Sequence, residues 1–389
     1  MALYSHLVIF MGQLLTKSVF ICNFTITKDR RIMKIISVFD SFKGCMSSQE
    51  ANEACAKGLR AQHDDMVIKQ IEASDGGEGF LRAMNPDKVL HCHVHDAMMR
   101  WTDADFGIKD GKAIIEVAQA VGLDKIEPEL RNPLVATSYG VGELMVHAWE
   151  QGCREFIVGL GGSATSDCGL GMLRCLRHHA QQQLHQMWYD LFDTSVLKSV
   201  RVTLASDVDN PLTGPCGAAH VFAPQKGADA RQVELLERRA TTFAAMAAKH
   251  QGYDMSQRPG AGAAGGLGYA FMQFMDAQME SGAELVLRSN RFDDLLQHAD
   301  LVITGEGASD AQTLMGKLPS VVLRHAQKAG VPVVLASGRI EDREALLDAG
   351  FSQVVCINDG QPADENPLDK EVAQRRLEIA AQRIHTSNL

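Results

Sequence analysis

Acidic residues and lysines recur directly after short apolar runs, each time with glycine or a turn-forming residue beside them. Asp40, Ser41 and Lys43 follow Ile35–Phe39, and Asp75 and Glu78 follow Met66–Ile71 within Asp75-Gly76-Gly77-Glu78-Gly79. Gly161-Gly162-Ser163 follows Glu155–Leu160, Asp207, Asp209 and Asn210 follow Val202–Ala205, and Glu306 and Asp310 follow Leu301–Thr304. One acid after a strand is commonly a helix cap or a turn former. Five such clusters are harder to dismiss, because glycine lets the backbone approach a ligand closely and adopt positive φ.

Phosphoryl transfer suits these residue types. It needs positioning, charge neutralisation and a carboxylate to take the hydroxyl proton. Lys43, Lys226 and Lys317 each sit in a glycine-containing segment, and Asp75, Asp207, Asp209 and Asp310 are candidates to hold magnesium or act as the base. Mg²⁺ typically takes one or two carboxylates, with phosphate oxygens and waters completing its shell. The loop Gly159 to Asp167 reads as strand, Gly-Gly-Ser, then helix, so its backbone N–H groups would make an anion site. A second loop, Pro259 to Gly268, contains G-x-G-x-x-G at Gly260, Gly262 and Gly265. A dinucleotide fingerprint requires an apolar strand before it. Asp254 to Arg258 is polar, which disfavours an NAD site. The loop opens an apolar helix expected from Leu267 to Met279, leaving phosphate binding or close helix packing as its two readings.

Other chemistries fit less well. A Walker A loop is absent, since Gly316-Lys317 is followed by Leu318. Ser163 in Gly-Gly-Ser-Ala-Thr does not match the G-x-S-x-G nucleophile elbow of hydrolases. His91, His93 and His95 would share one face of a strand, which reads as a solvated face rather than a metal cluster.

The elements that must position these residues follow a β-α-β pattern at both ends of the chain. After the strand at Ile35–Phe39, Ser47 and Glu50 form a capping box ahead of a helix with Ala51, Ala54, Cys55, Gly58 and Leu59 on one face. The strand Met66–Ile71 completes a unit that implies parallel pairing with a right-handed crossover. The last quarter repeats the pattern, with strands at Leu301–Thr304, Val331–Ala336 and Gln353–Ile357 and helices near 318–328, 342–349 and 370–384. In the middle, strands at Val89–His95, Ala104–Ile108 and Ala113–Val117 follow one another without helices. The expected architecture is α/β. A parallel, Rossmann/flavodoxin-like domain forms from residues 33–75 and 290–389, and residues 76–289 form an inserted second α/β domain. Ligands then belong in the cleft between them, at the carboxyl ends of parallel strands.

Composition sets the bounds. The 389 residues suit about two domains. A net charge of −10 without a basic run argues against a nucleic-acid binder. Nine scattered cysteines without a CxxC pair argue against a disulfide framework and fit a reducing, cytoplasmic setting. Residues 1–32 include an apolar run from Leu7 to Ile26, interrupted by Gln13, Lys17 and Asn23. The basic cluster Lys28, Arg30 and Arg31 comes after that run, whereas a signal peptide wants it before. The expectation is an extension outside a fold that starts at Met33, with no membrane partner.

Taken in order, these clusters resemble the type I glycerate kinase family. The resemblance is carried by Asp40-Ser41-Phe42-Lys43-Gly44, Asp75-Gly76-Gly77-Glu78-Gly79, Thr137 to Leu144, Gly161 to Thr165, Asp207 to Leu212, Pro224-Gln225-Lys226-Gly227, Pro259 to Gly266, and Gly305-Glu306-Gly307 leading to Asp310, Gln312, Gly316 and Lys317. Each piece alone is weak, but the ordered set is specific and runs from about Met33 to the C-terminus. It implies a discontinuous α/β domain with an insertion, and ATP and magnesium as co-substrate and cofactor. It also implies phosphorylation of D-glycerate, mostly to 2-phosphoglycerate in bacterial members; a monomer or a homodimer is expected.

In that setting the substrate carboxylate would lie near Lys43 or a neighbouring cation, among Asp40, Ser41, Asn210 and Lys226, and Asp207 or Asp310 would accept the hydroxyl proton. Gly161, Gly162, Ser163, Gly262, Gly265 and Gly266, with Glu306 and Lys317, would hold ATP, and Asp75 or Asp209 would lie near magnesium. The segment from Leu173 to Leu197 departs from the family pattern: it is shorter, and reads Arg174 to Gln183 where relatives carry Gly and Asp. That stretch motivates one alternative, an impaired relative that only binds a sugar acid or nucleotide; the other, a glycerate 3-kinase, stays open because both products need the same residue types.

Overall fold

The fold is seen in a computed structural model that describes residues 32–61, 65–182, 197, 199–362 and 364–384. The N-terminal extension and most of the unusual stretch before Leu197 lie outside the described residues. Thirteen strands are described: β1 Met33–Phe39, β2 Met66–Glu72, β3 Lys88–His95, β4 Trp101–Lys109, β5 Lys112–Glu116, β6 Glu155–Gly159, β7 Arg201–Ala205, β8 Gln278–Glu280, β9 Leu301–Gly305, β10 Ala308–Ser309, β11 Val333–Ser337, β12 Arg339–Ile340 and β13 Gln353–Cys356.

Strands from both chain ends make a five-stranded sheet in the order β13-β11-β9-β1-β2, parallel throughout. Its central members are continuous apolar runs because both of their faces are covered. Every residue of β9 and β11 is buried. The helices Ser48–Arg60 and Lys370–Gln382 cover one face, enclosing Ile35, Phe39, Leu59 and Leu377. The helices Gly282–Ser289, Phe292–Leu296 and Leu318–Ala329 cover the other, around Ile36, Val38, Val302 and Leu335. The chain leaves β1 toward β2 on one side, while β9, β11 and β13 build outward on the other. The switch point between β1 and β9 is where a doubly wound sheet opens a crevice.

Strands from the middle of the chain make a six-stranded sheet in the order β3-β4-β5-β6-β7-β8, antiparallel at the β3–β4–β5 end and parallel from β5 to β8. Its core is enclosed by the helices Tyr139–Glu150, Leu170–Gln182, Ala230–Gln251 and Ala263–Met275. Ile114 and Ala205 of this sheet share a hydrophobic cluster with Ile36, Val38 and Ile71 of the first, so the two sheets are packed through common apolar side chains.

One expected element differs. The helix expected to reach Met279 stops at Met275, because Asp276 turns left-handed at φ 52° and ψ 36°. Residues Gln278–Glu280 then become β8, whose three residues pair with β7. An apolar run cannot by itself distinguish a helix that continues from one that breaks into an edge strand.

Candidate active site

The carboxyl ends of the two sheets meet. Gly161 N–H, after β6, donates to Gly76 O, after β2, at 2.9 Å. A Cβ on Gly161 would lie 2.3 Å from Gly77 Cα, so only glycine permits this approach. Gly282, after β8, lies against the Asp75 backbone in the same way and donates its N–H to Asp207 Oδ1 at 3.2 Å. Glu116, the buried last residue of β5, accepts from Gly79 N–H at 3.3 Å and Leu81 N–H at 3.0 Å, fixing the turn that carries Asp75. Burial raises its carboxyl above the usual range.

A cleft of about 1080 Å³ opens at this junction. Asp40, Ser41, Lys43, Asp75, Gly161, Asp207, Glu306 and Lys317 all line it, brought together from six separate loops or element ends. Asp40 emerges from β1 at the switch point, where its N–H donates to Gly305 O at 2.9 Å, and its Oδ1 accepts from Ser41 N–H at 2.7 Å. Burial, with the neighbouring Asp75 carboxylate, pushes its pKa up to about 7. Asp207 opens onto the cleft, yet the protein mass around it desolvates the carboxyl and raises its pKa to about 6. Lys43 Nζ stands 3.4 Å from Asp75 Oδ2, and the Asp75 charge raises the lysine's pKa. Glu306 accepts from Ser309 Oγ at 3.0 Å and Thr313 Oγ1 at 2.6 Å, with Lys317 Nζ 3.7 Å from its other oxygen.

Several candidates take other positions. Asp310 caps the short 3₁₀ turn Ala311–Met315, its Oδ1 accepting from Gln312 N–H at 2.8 Å, and it does not line the cleft. Asn210 Nδ2 donates to Cys216 O at 2.8 Å, tying down its own loop, and Asp209 is exposed outside the cleft lining. Gly162, with φ +76°, lines an adjoining hollow, while Ser163 is buried behind it. Lys226 is buried beneath that loop, donating from Nζ to Ser163 Oγ at 3.1 Å and Thr165 O at 2.6 Å. Burial pulls its pKa down to about 7.

Gly262, Gly265 and Gly266 are also buried outside the cleft lining. Gly262 N–H donates to Asn210 O at 2.9 Å. Gly265 has φ +64°, and a Cβ there would meet Thr165 O at 1.9 Å. The second glycine loop thus lies against the backbone of the first from behind.

Four contributors escaped the sequence reading: Glu116, Arg339, Asn358 and Leu368, the last three of which line the cleft. Glu116 carried one weak signal, a charged residue ending the apolar run Ala113–Ile115. His91, His93 and His95 pair individually with Asp105, Asp103 and Glu143, the last two at 2.9 Å and 2.8 Å. Among the described residues, no group of three or more His, Cys, Asp or Glu is arranged to hold a metal ion by itself, and no helix is long and apolar enough to cross a membrane.

The pattern of the Glycerate kinase family matches residues 35–388. The Glycerate kinase of Bacillus subtilis (strain 168) is 38% identical over 375 residues, covering 91% of this chain and 97% of its own length. The Glycerate 2-kinase of Escherichia coli (strain K12) is 36% identical over 349 residues, covering 84% and 91%. A crystal structure from Salmonella typhimurium LT2, of a protein provisionally called glycerate kinase 2, superposes with a TM-score of 0.72 at 33% identity, covering 90% of this chain and 96% of that one. With the family pattern matched over residues 35–388, and relatives and a solved structure alike over most of its length, the chain belongs to the glycerate kinase family, a family of phosphotransferases.

Proposed function

We propose that this chain transfers the γ-phosphoryl group of ATP to D-glycerate, giving 2-phospho-D-glycerate, with magnesium, in the cytoplasm. The observation that carries this is the convergence of Asp40, Asp75 and Asp207 around Lys43 in one cleft of a glycerate kinase family member. The choice of product rests on the Escherichia coli relative named Glycerate 2-kinase. We read residues 33–75 and 290–389 as one discontinuous domain and 76–289 as the inserted one, acting as a monomer or homodimer.

The donor set suits magnesium. The Asp75 charge raises the cost of ionising Asp40, and among the described residues no complete protein cage surrounds the two. Two carboxylates without a cage match the demand of Mg²⁺, which keeps waters and phosphate oxygens in its shell. Asp40 and Asp75 would hold the ion, which would supply charge neutralisation for the phosphate oxygens. Asp207 then acts as the base. A carboxyl near pKa 6 is ionised at neutral pH and retains enough basicity to take a hydroxyl proton as the oxygen attacks. Lys43 offers its ammonium to the anionic reactants, and Lys317, steadied by Glu306, offers a second. Asp310 acts through the turn that sets Lys317 rather than as base. Gly161 and Gly162 bring backbone close to the transferring group.

Coupled ADP release with D-glycerate, followed by phosphorus NMR of the product, tests the reading. ATP-dependent turnover and a 2-phosphate signal are expected. A 3-phosphate signal would reassign the acceptor hydroxyl, and absence of turnover in the presence of ATP, Mg²⁺ and D-glycerate would refute the enzymatic assignment.

A further inference from the structure

The cleft has two arms that share Asp40, Ser41, Lys43, Asp75 and Gly161 at their junction. The larger, of about 1080 Å³, extends over the carboxyl end of the parallel sheet, where Cys45, Ile357, Asn358, Pro367, Leu368 and Ala373 wall it. The smaller, of about 600 Å³, is walled mainly by polar and charged groups, among them Ser47, Glu50, Glu78 and the pair Glu72 and Arg82, 3.7 Å apart. The base and the lysine stand at or beside the junction, so the two reactants must meet there, one from each arm.

Their chemistry decides which takes which. A nucleoside carries a flat, largely apolar ring system, and burying it against apolar walls is favourable at roughly 25 cal/mol per Å². D-glycerate has an oxygen on every carbon and nothing to offer an apolar wall. Leu368 stands 65% exposed at the larger arm, a large apolar side chain left open to a ligand. Asn358 is fixed at both ends of its amide: Nδ2 donates to Gly338 O at 2.6 Å, and Oδ1 accepts from Arg376 Nη1 at 2.7 Å. Arg376 is itself buried, and its Nη2 also donates to Pro362 O at 2.8 Å and Glu365 Oε2 at 3.2 Å, bracing this wall from behind. An oriented amide with one N–H and one lone pair remaining complements the adjacent donor and acceptor of an adenine edge. Arg339 lines the same arm, its Nε 3.4 Å from Glu341 Oε1, and supplies a cation for the phosphate chain.

We propose that the arm walled by Ile357, Asn358, Pro367 and Leu368 is the nucleoside subsite for ATP, and that the three-carbon acid enters through the opposite arm past Arg82; this rests on the kinase reading above. The test uses the full chain, with Leu368→Gln and Arg82→Ala each assayed with both substrates varied, and with ADP binding measured by calorimetry. Leu368→Gln should raise the KM for ATP and the Kd for ADP about tenfold, the scale of one lost apolar side-chain contact. Its KM for D-glycerate should stay within about twofold, which also reports an intact fold, and inhibition by inorganic tripolyphosphate should not change. Arg82→Ala should raise the KM for D-glycerate and leave ADP binding alone. An unchanged KM for ATP and Kd for ADP in Leu368→Gln, or an exchange of the two variants' effects, would overturn the assignment while wild-type turnover still upheld the kinase. A wild-type chain that neither binds ADP nor turns over ATP would remove both.

Discussion

Lys226 gives a test of the scaffold behind the glycine loop that can be worked through in numbers. Its ammonium nitrogen is enclosed, 3% exposed at the residue, with Ser163 Oγ and Thr165 O as its partners. Burial lowers its pKa from 10.5 to about 7. In the unfolded chain the side chain keeps the ordinary lysine value near 10.4. Between about pH 7 and 10 the unfolded state therefore holds a proton that the folded state releases, so stability rises with pH across this window. Below it both states are charged, and the folded state carries the full cost of a buried ammonium. Integrating the difference in bound protons from pH 7 to 9 gives about 2 kcal/mol. Lys226→Met removes this contribution, and other titrating groups cancel when the variant is compared with wild type. Calorimetric Tm values in matched buffers should therefore show wild type gaining about 4–8 °C on the variant between pH 7 and pH 9, using the scaling for a unit of this size. Parallel shifts in the two proteins would refute the claim that the folded chain deprotonates this amine near neutrality.

Three further outcomes follow from the site. Asp207→Asn should lower kcat by about 10²–10⁴ without loss of fold, the range for removing a general base, and should abolish a rise in wild-type rate centred near pH 6, where the Asp207 carboxyl ionises; near-wild-type turnover would remove Asp207 from the mechanism. Chelation of divalent ions should abolish turnover and added Mg²⁺ should restore it, because Asp40 and Asp75 are otherwise left to repel one another beside the phosphates; undiminished turnover in chelator would contradict that role. Gly161→Ala places a Cβ 2.3 Å from Gly77 Cα and should destabilise the chain by about 1–3 kcal/mol, as overpacking does, with loss of activity; an unchanged Tm would show that the two loops do not touch in solution.

The amino-acid sequence by itself determined the longer strands, their parallel grammar at both chain ends and the positions of the glycine-rich breaks, because buried parallel strands must be continuously apolar and the breaks must turn sharply; the short strands β8, β10 and β12 were not legible in it. β1, β9 and β11 show this directly. It also carried the ordered motifs of the family. Only tertiary structure decided which motif residues face the cleft. Asp207 and Asp310 are the same residue type after similar strands, yet one opens onto the cleft and the other spends its carboxylate on backbone N–H groups. Gly161 and Gly265 both exclude a side chain, but Gly161 lines the cleft whereas Gly265 is pressed against Thr165 O behind it. Sequence cannot separate these cases, because capping and close packing select the same residues as catalysis and ligand approach. Arg339, Asn358 and Leu368 carried no motif at all; they become a wall only because the β10–β12 pair, the end of β13 and the segment before the last helix gather around the same cleft as the end of β1.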